Sequence, residues 1–570
     1  MKIRFQVLAA GALLWLLAGP LAAQKYIPFP YDIQKEATGD SAMVVSAHPL
    51  ASKVGVDILR RGGNAIDAAV AVQFALAVVY PQAGNIGGGG FLLYRDKVGQ
   101  VAALDYRETA PAAAFEKMYL DSLGEAIPDR SRFGALAAGV PGTVDGMWEA
   151  HKKYGRLKWR VLLQPAIELA IGGFQITAQE AQNLNAERHN FLRNSPIIPA
   201  FVKMEPWTEK DWLIQKDLGH TLRLIAEYGR DGFYTGATAS KVENTMKKKR
   251  GLISMEDMAN YRSAWRTPLD FAYQDKRVIT MPPPSSGGII LCQLLRSAEL
   301  LDLKKNAQHS VEAVHRMVEA ERRAYADRAE HMGDPAFWKV PTTQLMDGEY
   351  MKKRLSDFDK AKATPSKAVT AGQIKESEET THYSIVDPEG NAVSVTTTLN
   401  DSYGSRTVVA DAGFILNNEM DDFSVKPGAP NLYGAIGGKA NAIAAGKRPL
   451  SSMTPTIITE KGKLWMVIGT PGGTTIPTSV FQVIVNVAEF GMPLPDAVKA
   501  KRFHHQWLPD VIAVEEGCIG EDVRQKLQEM GHTVINRQFP IGRVEAILRL
   551  PNGNLQGAAD PRGDDAAMGF

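Results

Sequence analysis

Between Glu378 and Asp387 the sequence reads EETTHYSIVD, placing the hydroxyls of Thr380, Thr381, Tyr383 and Ser384 around one imidazole, His382. A threonine hydroxyl is a weak nucleophile until a base takes its proton. A threonine at a chain N-terminus carries that base in its own α-amine, whose unperturbed pKa is near ~8. Cutting the bond between Glu379 and Thr380 would therefore create nucleophile and base together. The competing reading is a solvated strand start, for which threonine is equally suited. His382, the obvious rival base, reads as a structural residue.

Other stretches carry chemistry only in combination. Arg107 in DYRETAP presents a fork suited to a carboxylate, yet an arginine after a strand is also an ordinary surface residue. Taken alone, Ser451 and Ser452 in RPLSSM read as a turn, Glu419 and Asp422 in NNEMDDF as a solvated acidic loop, and Gly472-Gly473 in TPGGTT as a plain turn. NIGGGGF (Asn85–Phe91) does not fit GxGxxG, so its glycines read as positions of close backbone packing. His504 and His505 are adjacent, and neighbours on a strand point to opposite faces, which argues against a shared metal. HExxH, GxxxxGK[ST], GxSxG and zinc-spaced cysteine pairs are missing from the sequence.

The elements that must position these groups are legible from periodicity. THYSIVD and NAVSVTTTL flank Pro388-Glu389-Gly390, a three-residue hairpin loop with glycine at the left-handed position. If Asp387 faces Asn391, Ile385 meets Val393 and Tyr383 meets Val395 on one apolar face. The other face then pairs Ser384 with Ser394, His382 with Thr396, and Thr380 with Thr398. The pattern thus sets a second threonine hydroxyl beside the first. Further strands are expected in TVVADAGFIL, PTIITEKGKLWMVIGT, VIAVEEG and EAILRLPNGNLQGAAD, and a hairpin over Phe91–Tyr94 and Val101–Tyr106. Helices are expected over SAHPLASKVGVDILRR, ended by Gly62-Gly63, over Ala65–Tyr80 with Asn64 as N-cap, and as an amphipathic run after Ser310. The polar stretch from Thr364 to Glu379 reads as an exposed loop open to cutting.

At 570 residues, length alone suggests roughly three or four domains. A net charge of +2 gives no reason to expect a nucleic-acid or membrane-surface partner, and KKKR at Lys247–Arg250 reads as a solvated helix end. The basic MKIRF, the apolar VLAAGALLWLLAG and the exit PLAAQ form a secretory signal pattern, with cleavage expected after Ala22 or Ala23. Leu21 fits the exit poorly, which keeps an uncleaved anchor as the alternative. Ala65–Tyr80 is too short and carries Asp67 and Gln73, so it reads as a buried helix and not a membrane span. Two distant cysteines, Cys292 and Cys518, make neither a disulfide framework nor a metal site.

Taken in order, GGNAIDAAVA, NIGGGGF, DYRETAP, AGVPGTVDGM, TTHYSIVDPEGNAVSVTTTLN, GFILNNEMDDFS, KRPLSSMTPTI and GTPGGTTIP resemble the γ-glutamyltransferases (γ-glutamyltranspeptidases) over nearly the whole mature chain. The resemblance implies an α+β fold, the four-layer αββα sandwich of the N-terminal nucleophile hydrolases. It implies self-cleavage between Glu379 and Thr380, giving a large subunit (24–379) and a small one (380–570) that together form one intertwined unit. It implies Thr380 as nucleophile supported by Thr398, Gly472 and Gly473 as oxyanion hole, and Arg107 with Ser451 and Ser452 around a substrate carboxylate. Asn400, Glu419 and Asp422 match the α-amine site, and Tyr433 the tip of a lid loop (Lys426–Gly438). The implied activity is transfer of the γ-glutamyl group of glutathione and related compounds to water, amino acids or dipeptides, without metal or organic cofactor, in the periplasm or outside the cell. A glutaryl or cephalosporin acylase of the same superfamily and a catalytically inactive binding homologue are the alternatives. The first would discard the α-amine site, and the second would break the nucleophile or the glycine pair.

Overall fold

The computed structural model describes residues 33–369, 380–425 and 438–570. The expected signal segment, Glu379, and Tyr433 with most of its loop lie outside the described residues.

Alternation along the strands builds three apolar layers. Val44, Leu92, Leu104, Tyr383, Ile385, Val393 and Val395 point to one side and pack on the helices Pro49–Arg60, Ala65–Val79 and Trp159–Gly172. Their strand neighbours Met43, Val45, Phe91, Leu93, Val386 and Ala392 point the other way, where they meet Ile457, Val467 and Ile547. Beyond those, Ile458, Met466, Ile468, Ala546 and Leu548 pack on the helices Gly287–Leu300, Val311–His331 and Thr475–Ala488. A period of two in strands covered on both faces requires this order of helices, sheet, sheet and helices.

Each sheet has seven strands, and every neighbour is antiparallel. One runs 566–569, 43–46, 381–386, 392–398, 89–95, 101–105, 264–266, so the candidate nucleophile hairpin lies near its centre. The other runs 36–39, 555–559, 545–549, 463–469, 456–460, 276–280, 269–273. Both sheets combine strands from before and after Thr380. The length-based expectation of several domains is corrected here: two sheets share one interface.

The hairpin has the expected register, with Thr381 opposite Thr397, His382 opposite Thr396, Ser384 opposite Ser394 and Ile385 opposite Val393. Gly390 takes φ +85° in the turn, and Asp387 N–H donates to the Asn391 carbonyl at 3.0 Å. Asp387 also accepts the backbone N–H of Ala65 at 2.9 Å, tying the turn to the start of the buried helix Ala65–Val79. Asn64 and Asp67 close a capping box on that helix.

Two expectations fail. TVVADAGFIL forms no strand, only a bridge between Val408 and Ile415, because Asp411 (φ +58°) and Gly413 (φ +76°) turn the backbone back on itself. The helix Val311–His331 is buried nearly all round and not amphipathic, since its charges are paired inward: Arg323 binds Glu319 at 2.6 Å, and Arg322 reaches Asp510. Cys292 and Cys518 are free and buried. Among the described residues no helix is long and apolar enough to cross a membrane.

The glycines of NIGGGGF are set by contact. A Cβ on Gly88 would lie 2.0 Å from the Thr398 carbonyl oxygen, and one on Gly87 2.1 Å from that of Ile415. Gly88→Ala should therefore destabilise the chain by about 1–3 kcal/mol or more in denaturant melts. Gly172→Ala, where nothing lies within 4 Å, should be close to neutral or slightly stabilising. Equal behaviour of the two variants would refute the packing argument.

Candidate active site

The hairpin carries Thr380 to the mouth of its strand and Thr398 to the end of the partner strand. Both are nearly buried, at 5% and 2% exposure. Beyond Thr398 the chain turns sharply: Asn400 takes φ +77°, and its N–H donates to Thr398 Oγ1 at 2.7 Å. Asn400 Nδ2 then donates to the Asn418 carbonyl at 3.0 Å, drawing the acidic loop alongside. Asn417 fixes that loop by donating to the carbonyls of Gly87 and Gly139, each at 2.8 Å, and by accepting the N–H of Glu419 at 3.0 Å.

One cavity of about 20 Å³ is lined by Arg107, Thr380, Thr398, Asn400, Glu419, Asp422, Ser451, Ser452 and Gly473, with Met453 and Ile476. Nearly every residue singled out in the sequence thus converges on one hollow. Gly472 is not part of its lining and instead lines a second, larger cleft. Glu379 and Tyr433 lie outside the described residues.

Arg107 governs the electrostatics. Its guanidinium is 1% exposed and sits 2.7 Å from Glu419, 3.6 Å from Glu108 and in a short ion pair with Asp422. Its backbone is held as firmly, since its N–H donates to Asp105 at 3.0 Å and its carbonyl accepts the Tyr261 hydroxyl at 2.8 Å. These three carboxylates outnumber one cation in a water-poor space. Burial pushes the Glu108 carboxyl up to about 8 against the pull of Arg107, and raises Glu419 well above the ordinary carboxylate range. Burial thus keeps Glu108 largely protonated at neutral pH while Arg107 stays charged.

Ser451 and Ser452 enter on a segment stitched to the residues before a helix: Ser286 N–H donates to the Ser451 carbonyl at 2.7 Å. Arg328, from the helix Val311–His331, donates to Ser452 Oγ at 3.1 Å and to Ser286 Oγ at 3.0 Å. Gly472 (φ +135°) and Gly473 (φ +52°) directly precede the helix Thr475–Ala488. Thr475 N–H and Oγ1 both bond the Gly472 carbonyl, at 2.9 and 2.7 Å. Amides at the start of a helix carry partial positive charge, the right sign for an oxyanion.

His382 is not a base in this site. It is fully buried, and its ring nitrogens face Thr396 Oγ1 at 2.9 Å and Ser384 Oγ at 3.1 Å. Burial pushes its pKa down to about 3. A Cβ on Gly469 would lie 2.3 Å from its ring, so the imidazole spaces the nucleophile strand from the strand that leads into Gly472. His504 and His505 are likewise structural, bonding Thr478 at 2.8 Å and Asp510 at 3.2 Å.

Sequence reasoning missed Glu108, Asn417 and Arg328. Glu108 carried a signal, a charged pair with Arg107 at a strand end, whereas Arg328 was hidden in a run of helix charges.

An antiparallel two-sheet sandwich between helix layers, with a threonine at a central strand beside a glycine pair, defines the architecture of the N-terminal nucleophile hydrolases. A sequence model described as gamma-glutamyltranspeptidase matches residues 51–570, and the chain belongs to that family. It is 44% identical over 574 residues to the glutathione hydrolase proenzyme of Escherichia coli K12, covering 100% of this chain and 99% of that one. It is 46% identical to the glutathione hydrolase proenzyme of Pseudomonas aeruginosa over 92% of this chain and 94% of that one. Among solved structures, a cephalosporin acylase from Bacillus halodurans superposes with a TM-score of 0.79 at 26% identity, over 95% of this chain and 98% of its own. The γ-glutamyltranspeptidase of Helicobacter pylori superposes with a TM-score of 0.56 at 45% identity, over 57% of this chain and 94% of its own.

The raised acid gives a signed pH dependence. Folding favours the protonated form of Glu108, so its contribution is fully present below about 4.5 and is lost as pH rises through about 8. Thermal melts of Glu108→Gln against the parent should show a shallower fall in stability across that window. Parallel curves would contradict the assignment.

Proposed function

We propose that this chain is an exported γ-glutamyltransferase and glutathione hydrolase that cuts itself before Thr380. The observation that carries this reading is the gathering of Thr380, Thr398, an arginine and two acidic side chains around one cavity. A γ-glutamyl group ends in a free amino acid, so its pocket must offer a cation to a carboxylate and anions to an ammonium. Arg107, with Ser451 and Ser452, is suited to the first, and Asp422, Glu419 and Asn400 to the second. A glutaryl group lacks the ammonium, so the acidic pair argues against the acylase alternative.

In the mechanism this implies, Thr380 Oγ first attacks the Glu379 carbonyl and the amide C–N bond breaks, giving an ester and the free α-amine of Thr380. Water then hydrolyses the ester to release the Glu379 carboxylate and the Thr380 hydroxyl. The mature enzyme is then a heterodimer of a large subunit (about residue 24 to 379) and a small one (380–570). The α-amine takes the hydroxyl proton as Oγ attacks the γ-carbonyl of the donor, and Thr398 supports the nucleophile. The N–H groups of Gly472 and Gly473 receive the oxyanion. The donor amine leaves, and water or an amino acid clears the γ-glutamyl ester. The N-terminal segment would direct the protein to the periplasm or beyond, and the loop bearing Tyr433 would close over the pocket.

Thr380→Ala should leave a single ~62 kDa polypeptide on a denaturing gel and abolish release of nitroaniline from γ-glutamyl-p-nitroanilide. Two pieces or residual turnover in this variant would overturn the reading. Asp422→Ala should still self-cleave but raise KM for that donor roughly 10–100-fold, the effect of one charged hydrogen bond.

A further inference from the structure

Ser451 and Ser452 line the catalytic cavity, and the segment that carries them is held by arginines from two directions. Arg107, within the cavity, donates from Nε to the Pro449 carbonyl and from Nη2 to that of Leu450, each at 3.4 Å. Arg328 lies outside the cavity lining and reaches the same segment from the helix Val311–His331. It is 4% exposed, and its bonds leave from different nitrogens: Nε donates to Ser286 Oγ at 3.0 Å, and Nη2 to Ser452 Oγ at 3.1 Å. Ser286 passes the support on, since its hydroxyl and its N–H both donate to the Ser451 carbonyl, at 2.8 and 2.7 Å. Ser285 Oγ adds a bond to the Met453 carbonyl at 2.6 Å.

The direction of these bonds follows from the groups involved. A guanidinium offers N–H donors and no acceptor, so Ser452 Oγ accepts from Arg328 and its own hydrogen is turned away from that cation. A hydroxyl held in this way is prepared to donate to an anion, whereas one left to rotate must be ordered at each binding event. The bond from a cation also polarises the hydroxyl and strengthens it as a donor. The fork matters as much as the charge. Ser286 and Ser452 lie on separate stretches of chain, and the planar guanidinium spans both, which the single ammonium of a lysine is not built to do.

We propose that Arg328 is a positioning residue for the donor's α-carboxylate, acting through Ser452, whose hydroxyl it orients toward that group. The inference rests on the transferase reading above. Arg328 touches neither the donor nor the reacting atoms, so its loss should weaken binding of γ-glutamyl compounds more than it slows the chemical step at Thr380. It belongs to the chain before Thr380 and Ser452 to the chain after it. On the proposed processing, the large subunit therefore orders a substrate contact made by the small one.

The test uses the self-cleaved enzyme with γ-glutamyl-p-nitroanilide as donor and compares it with the same compound carrying an α-carboxamide. Both release nitroaniline and differ only at the carboxylate. Wild type should favour the acid by roughly a hundredfold or more in kcat/KM, as expected for several charge-assisted contacts. Arg328→Met should lower that preference roughly fivefold to tenfold, chiefly through KM for the acid, the effect of one misplaced hydrogen bond. Arg328→Lys, which keeps the charge and loses the fork, should fall between the two. Tyr325→Phe removes another buried hydrogen bond of the same helix, to the Thr474 carbonyl, and should leave the preference unchanged. If Arg328→Met does not self-cleave, the lysine variant decides, and an undiminished preference there would overturn the proposal. An equal loss for acid and amide, or a loss confined to kcat, would reduce Arg328 to a structural role. Failure of wild type to release nitroaniline, or to prefer the acid, would instead overturn the functional reading beneath it.

Discussion

The structure depends on a hairpin buried on both faces. Strands 381–386 and 392–398 lie between two sheets' worth of contacts, with Tyr383, Ile385, Val393 and Val395 against helices and Ser384, His382, Ser394 and Thr396 against the second sheet. Burying that hydroxyl-rich face without partners would cost several kcal/mol. Instead Ser384 donates to the Glu545 carbonyl at 3.1 Å and Ser394 to that of Ile468 at 3.2 Å. Each bond crosses from one sheet to the other. A slip of one residue would exchange the two faces and lose both sets of contacts, so the position of Thr380 is fixed by the register of the whole sandwich.

The Arg107 cluster follows from the same burial. A lone guanidinium at 1% exposure would be prohibitively desolvated, so the empty cavity neutralises it with Glu419 and Asp422. These are the groups proposed to bind the ammonium of a substrate. On the proposed reading, the carboxylate of a zwitterionic amino acid would take over the arginine while its ammonium pairs with the acids released, and a substrate lacking either charge would leave one side unpaired.

Much of this was legible in the sequence because it was local. The hairpin register follows from alternation and one Pro-Glu-Gly turn, and the cap at Asn64 from residue type. Long motifs singled out most of the residues that line the cavity, although their types alone left each one ambiguous. What was not legible depended on distant contacts. Nothing in TVVADAGFIL forbids a strand; left-handed Asp411 and Gly413 break it only in its folded setting. The helix after Ser310 has the composition of a surface helix, and only the strands and loops that cover it explain its buried arginines. Arg328 reaches Ser452 from more than a hundred positions away, a relation that periodicity cannot encode.

The loop Thr470–Gly473 joins these features. Its strand is spaced from the nucleophile strand by the His382 ring against Gly469, and its far end opens the helix Thr475–Ala488. Gly473 lines the charged cavity, and Pro471 and Gly472 line a separate cleft of about 430 Å³. A Cβ at Gly472 would meet Thr475 Oγ1 at 2.4 Å, and its φ of +135° favours glycine, so the loop passes here as bare backbone. Bare backbone lets N–H groups be aimed at a developing negative charge, which is what the proposed oxyanion role asks of this loop.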